Sequence, residues 1–203
     1  MESDEKRRFE AVIARFDEEN SRDPNRVEIL GELVPRELFL AKRLGEWVLR
    51  LDPEASEALR IAARRQHIRR WEVKRESYPM DKGGYHRWKS HLKKFHAAIA
   101  SEILRAGGYG EELIQAVQAL NLKTSGSADA QTLEDALCLL FIEAQLQDLM
   151  GKSSEEKVIN ALQKSWAKMS LKARVLAEAI EVPAEVQRVI KKALYPDLPD
   201  MQQ

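Results

Sequence analysis

Two histidines and a pair of adjacent acids are the residues best suited to chemistry. His67 continues the stripe Ala55, Leu59, Ala63 at steps of four, and His96 lies four residues after Leu92 and three before Ile99. Helical spacing turns both imidazoles inward. A lone inward histidine is usually a hydrogen-bonded core residue, but two on successive helices also begin a ligand set. Glu134-Asp135 precedes the apolar run Ala136-Leu137-Cys138-Leu139-Leu140-Phe141. Carboxylates are seldom buried without a partner. An arginine ion pair or exposure at the helix start would account for these two. The chemical alternative is a divalent ion such as Mn, Fe or Zn, for which imidazole and carboxylate are suitable ligands. His67 and His96 would then hold the metal together with a carboxylate of the Glu134-Asp135 pair, beside which a water can lose its proton. Such an ion polarises a phosphoryl oxygen.

The basic residues are as uneven as the histidines. All four histidines fall between His67 and His96, together with Trp71, Tyr78, Tyr85 and Trp88. From Arg60 to Lys94 there are twelve basic residues against three acids, a local excess of +9 in a chain of net charge zero. A dense positive potential attracts anions, phosphate foremost. Arginine takes phosphate oxygens in a bidentate fork, and aromatic rings stack on bases. Arg64, Arg70, Arg75 and Lys94 are the candidate phosphate contacts, and Trp71 and Tyr85 the candidate stacking surfaces. The alternative is a solvated helical face paired with acids elsewhere.

Around these residues the pattern is helical from end to end. Phe9, Val12, Ile13 and Phe16 form an i, i+3, i+4, i+7 stripe, and Leu38, Ala41, Leu44, Val48 and Leu51 form a second. Asp52-Pro53 reads as a stop followed by a new start, with Asp52 as the cap and Pro53 at the first helical position. The pattern lapses between Trp71 and Gly84. It resumes at Tyr85, Trp88, Leu92, Phe95, Ile99 and Ile103, and stops at Gly107-Gly108. A short helix over 111–120 and the polar loop 123–128 follow. Ser127 can cap a long buried helix over about 129–150, and Ser153-Ser154-Glu155-Glu156 resembles a capping box. Two short helices close the pattern, the last starting at Pro183. No run of alternating β-branched residues predicts a sheet. The expected fold is all-α, one helical bundle over residues 1–203 with a disordered tail from 196 to 203.

With 203 residues and 44% hydrophobic content the chain can bury a core. Its charge balance excludes a globally basic nucleic-acid coat or an acidic tail protein. The one cysteine, Cys138, lies in the apolar run and is expected to be buried and inert. A disulfide framework within one chain is therefore excluded, and a cytoplasmic location is the simpler expectation. No apolar stretch approaches the length of a membrane span, and none follows the N-terminal charges in the manner of a signal peptide.

Several segments resemble a family of uncharacterised proteins, the domain of unknown function 4202 family. They are Gln66-His67-Ile68-Arg69-Arg70-Trp71, Ser77-Tyr78-Pro79-Met80, Gly84-Tyr85-His86-Arg87-Trp88, Leu133-Glu134-Asp135-Ala136-Leu137-Cys138 and Lys164-Ser165-Trp166-Ala167-Lys168-Met169-Ser170. That resemblance implies no particular activity. More remotely, Ala58 to Trp71, the helix beginning at His96, and Leu133-Glu134-Asp135-Ala136 are similar to the ligand-bearing segments of HD-domain metal-dependent phosphohydrolases. The likeness implies an HD-like bundle with His67, His96 and Asp135 as ligands and Glu134 as an adjacent acid. Ile68 stands where the doublet aspartate of those enzymes would be, and no histidine stands near Phe39 to Ala41. Two of their ligands are therefore missing.

The leading expectation is an HD-like protein that binds a phosphorylated ligand such as a nucleotide, with metal-dependent phosphohydrolysis as its enzymatic form. One rival is a non-enzymatic RNA- or nucleotide-binding module. The other is a protein-interaction bundle whose histidines and acids are satisfied core groups.

Overall fold

A computed structural model describes residues 2–122 and 126–195. The disordered tail expected from 196 and the first three residues, 123–125, of the polar loop lie outside those residues. Among the described residues the chain forms ten α-helices and one two-stranded hairpin, so the all-α expectation holds. No described helix is long and apolar enough to cross a membrane. The chain packs as two compact units, residues 1–130 and 131–203. The division falls inside a helix, where no linker composition could mark it.

In the first unit, α1 (Glu2–Ser21) is followed by strands β1 (Arg26–Ile29) and β2 (Glu32–Pro35), then α2 (Arg36–Leu51), α3 (Glu57–Arg64), α4 (Lys82–Ala106) and α5 (Glu111–Leu122). The hairpin corrects the expectation of no sheet. Its antiparallel strands pair Val27 with Val34 and Ile29 with Glu32. The turn uses Leu30 at φ 52° and Gly31 at φ 85°, the left-handed pair that a two-residue hairpin demands. Four residues per strand were too few for period-two alternation to register.

Helix α2 buries Leu40, Ala41, Leu44, Trp47, Val48 and Leu51 along one stripe. Helix α3 begins at Glu57 and not at Pro53, because Ser56 supplies the cap: its hydroxyl accepts from the Leu59 N–H at 3.1 Å. It ends at Arg64, so His67 does not continue a helical face but sits in the turn beyond it. Phe16, Leu59, Ile61, Ile68, Leu104 and Ile114 are among the side chains at the centre of this unit.

Gly84 shows how the loop before α4 is closed. The helix is capped by Asp81, whose carboxylate accepts from the Gly84 N–H at 2.6 Å. A Cβ on Gly84 would lie 2.0 Å from the Pro79 carbonyl oxygen. Backbone cannot swing aside as a side chain does. We expect Gly84→Ala to lower stability by about 1–3 kcal/mol, measured by urea denaturation. An unchanged midpoint would show that this loop does not pack as described.

The second unit holds most of α6 (Ala128–Leu140), then α7 (Leu146–Met150), α8 (Glu155–Lys168), α9 (Leu171–Glu178) and α10 (Ala184–Leu194). The single long helix expected to Met150 is interrupted by a π-turn over Phe141–Gln145. Ser127 does cap α6, accepting from the Ala130 N–H at 3.2 Å. Ser154 precedes α8, but its side chain makes no cap hydrogen bond. Leu139, Leu140, Leu146, Leu162, Val158 and Ala173 are buried in this unit, as is Cys138.

Candidate functional site

The polar groups of the first unit gather around the turn that follows α3. After Arg64 the backbone makes successive three-residue turns, with Ile68 N–H donating to the Arg65 carbonyl and Arg70 N–H to the His67 carbonyl. Arg69 adopts φ 52°, a left-handed conformation costly for a residue with a Cβ. The Asn20 side-chain oxygen, fully buried at the end of α1, meets the Arg69 N–H at 3.4 Å. Ile68 is wholly buried. Its side chain belongs to the core, which explains an apolar residue next to His67.

Glu37, at the start of α2, is 4% exposed and forms the acid of the site. Asp23, 14 residues earlier, accepts from the Glu37 N–H at 2.9 Å and so caps α2 across the hairpin. The Glu37 carboxylate lies 3.5 Å from His67 Nδ1 and 3.3 Å from Arg36. Burial opposes its charge, but the adjacent His67 ring and the Arg70 and Arg36 charges outweigh burial and lower its pKa. Burial lowers the pKa of His67; Arg70 and Lys89 act in the same direction, and Glu37 opposes them.

His96 stands on α4 with its ring 6.3 Å from that of His67. Its Nδ1 lies 2.7 Å from the Ile68 carbonyl oxygen. A carbonyl only accepts, so Nδ1 carries the proton and Nε2 bears the lone pair. That nitrogen is buried and has no hydrogen-bond partner. Burial, followed by the His67 charge and the Arg65 and Arg70 charges, pushes the His96 pKa down to about 3.

Two arginines complete the cluster. The Arg70 guanidinium lies over the Trp88 ring, 4.8 Å from its centroid, and among the described residues makes no hydrogen bond or ion pair. Trp88 is held in turn by its indole N–H, which donates to the Val73 carbonyl at 2.8 Å. Arg65 is 1% exposed, and its Nε and Nη2 lack partners. Burial pulls its pKa down to about 9, which leaves it charged at neutral pH.

The residues singled out from spacing fare differently. His67, His96 and Arg70 come together, with Tyr85 beside Trp88 at 5.9 Å between rings and 45% exposed. Arg64 is instead a structural residue: its guanidinium holds Asp17 in a fork at 2.5 and 2.6 Å. Arg75 staples the loop, donating to the Tyr78 and Asp81 carbonyls. Trp71 lies partly exposed in the one-turn helix Arg70–Glu72, and Lys94 is exposed on α4.

Asp135 and Glu134 belong to the second unit and are occupied there. One Asp135 oxygen accepts from the Ser170 N–H at 2.8 Å and from Gln131 at 2.9 Å; the other accepts from the Ser170 hydroxyl at 2.5 Å. Ser170 in turn caps α9. Glu134 pairs with Lys168 at 3.1 Å. The carboxylate expected to complete a metal site is therefore a buried capping group. Among the described residues no three His, Cys, Asp or Glu side chains are arranged to hold a metal ion.

Spacing missed Glu37 and Arg65, although both left a trace. Glu37 lies on the Leu40, Ala41, Leu44 stripe of α2, and Arg65 lies four residues after Ile61. A charged residue at an apolar position was the available signal.

A family model described as "Domain of unknown function (DUF4202)" matches residues 10–190. No curated protein and no solved structure matches the chain. The chain belongs to that family.

Proposed function

For this family member we propose that the first unit binds a phosphorylated small molecule, with nucleotides as the representative class, at the face formed by His67, Arg70 and Tyr85. The observation that carries this is Arg70. Its guanidinium is fixed on Trp88 yet makes no hydrogen bond or ion pair among the described residues. A preorganised fork with free donors matches the geometry of a phosphate. Arg36 and Lys89 add positive potential near it. Tyr85 offers the exposed ring on which a base could stack.

The test is calorimetry with ADP at low salt. Arg70→Ala is expected to weaken binding by about 10- to 100-fold, the loss of a charge-assisted contact. Arg64→Ala should leave affinity within about twofold, because Arg64 is committed to Asp17. Equal affinity of wild type and Arg70→Ala would sink the proposal. Steeply salt-dependent binding of single-stranded RNA without mononucleotide binding would favour an RNA surface.

One observation favours hydrolysis over binding alone. Glu37 faces Nδ1 of His67 at 3.5 Å, which leaves Nε2 to take a proton from an attacking water. In this reading the base is His67, and no step runs through Asp135 or Glu134. Phosphate release that persists in EDTA and vanishes in His67→Ala would support it; release abolished by EDTA would reject it.

A further inference from the structure

We infer that Arg65 and His96 form an inner subsite continuous with Arg70, and that the ligand carries two linked phosphoryl groups, as a nucleoside diphosphate does. This rests on the assignment of the outer phosphate to Arg70.

Arg65 is the residue that demands explanation. Arg64 is forked onto Asp17, and Arg70, though its donors are free, has the Glu37 charge near it. Arg65 is more deeply buried than either, two of its three guanidinium nitrogens have no partner, and no acidic group offsets its burial. A lone buried charge is among the most expensive features a fold can hold. Internal water could satisfy its hydrogen bonds, as it does for many buried polar groups, but water does not neutralise a charge. An anion does both.

The neighbourhood supplies the rest of such a subsite. Arg65 and Arg70 both lie close enough to His96 to disfavour its protonation. His96 Nε2 is a buried lone pair with no donor, suited to a phosphoryl hydroxyl or a bridging water. The His67 ring, 6.3 Å from His96 and 27% exposed at its side chain, forms the solvent-facing edge. Two guanidinium groups near one neutral imidazole provide two anion positions, where one phosphate would leave Arg65 uncompensated.

The experiment compares AMP with ADP, and orthophosphate with pyrophosphate, by calorimetry on the wild-type chain and on Arg65→Met, which keeps an unbranched apolar stem and removes the guanidinium. The wild type is expected to prefer ADP to AMP by about tenfold or more. Arg65→Met should abolish that preference, leave AMP affinity within about twofold, and be at least as stable as the wild type. Equal wild-type affinities for AMP and ADP, or a preference that survives Arg65→Met, would overturn the inner subsite while leaving Arg70 in place. Should Arg65→Met fail to fold, Arg65→Lys decides: the charge remains but the fork is lost, so an undiminished ADP preference overturns the inference and a diminished one supports it. Failure of the wild type to bind any of the four would overturn the outer assignment and the inner one with it.

Discussion

Asp135→Ala is expected to destabilise residues 131–203 by about 2–4 kcal/mol while leaving ADP affinity unchanged. The carboxylate is 3% exposed and receives the Ser170 N–H, the Ser170 hydroxyl and the Gln131 amide. Charge-assisted bonds of this kind are roughly twice as strong as neutral ones. They also tie α6 to the start of α9, where the positive end of the helix dipole favours a carboxylate. Alanine removes the acceptor and strands the Ser170 donors in a buried place. Asp135→Asn, which keeps one oxygen, should recover part of the loss. Denaturation followed by circular dichroism gives the stability, and calorimetry gives the affinity. A variant of wild-type stability that loses ligand binding would instead return Asp135 to the functional site.

Acid should weaken the first unit through His96. An unfolded chain protonates this histidine near its ordinary pKa of 6.5, whereas in the fold the value is about 3. The folded pKa of this base is depressed, so below 6.5 the unfolded state binds a proton that the native state refuses. Stability therefore falls with pH across the window from 6.5 down to about 3. The slope approaches about 1.4 kcal/mol per pH unit, or roughly 2 kcal/mol lost by pH 5. His67 moves the same way, because burial lowers its pKa too. His96→Asn retains a donor for the Ile68 carbonyl but does not titrate. Wild type should be the more stable at pH 7, and its advantage should shrink by about 2 kcal/mol at pH 5. A pH-independent gap between the two proteins would show that His96 is not buried as a neutral base.

These two residues show where sequence reasoning succeeded and where it stopped. Helical periodicity placed His96 on an inward face, and the apolar run after Asp135 marked that acid as one that needs a partner if buried; both are buried. The sequence left open an arginine pair, exposure at the helix start or a metal for Asp135; in the structure its oxygens accept from Ser170 and Gln131. The partner is the start of another helix, 35 residues on. Periodicity reports which side of an element faces in; it carries no information on which distant backbone donor will be there. Arg64 makes the same point in reverse. Its place in a basic stretch suggested phosphate, but Asp17, 47 residues earlier, had already claimed it.

Alone, the amino-acid order determined the helical class, the order of the main helices, the buried cysteine and the concentration of histidine, arginine and aromatic residues between 60 and 96. All of these follow from local spacing and composition. Only tertiary structure decided that His67 leaves the helix for a turn, that Glu37 is its acid, and that Arg65 is buried without one. Those outcomes depend on the left-handed Arg69, on Asn20 meeting its N–H, and on Asp23 capping α2 across a hairpin. Each joins segments far apart in the chain. Their encounter is set by how α1, α2, α3 and α4 pack, which no single stretch of sequence encodes.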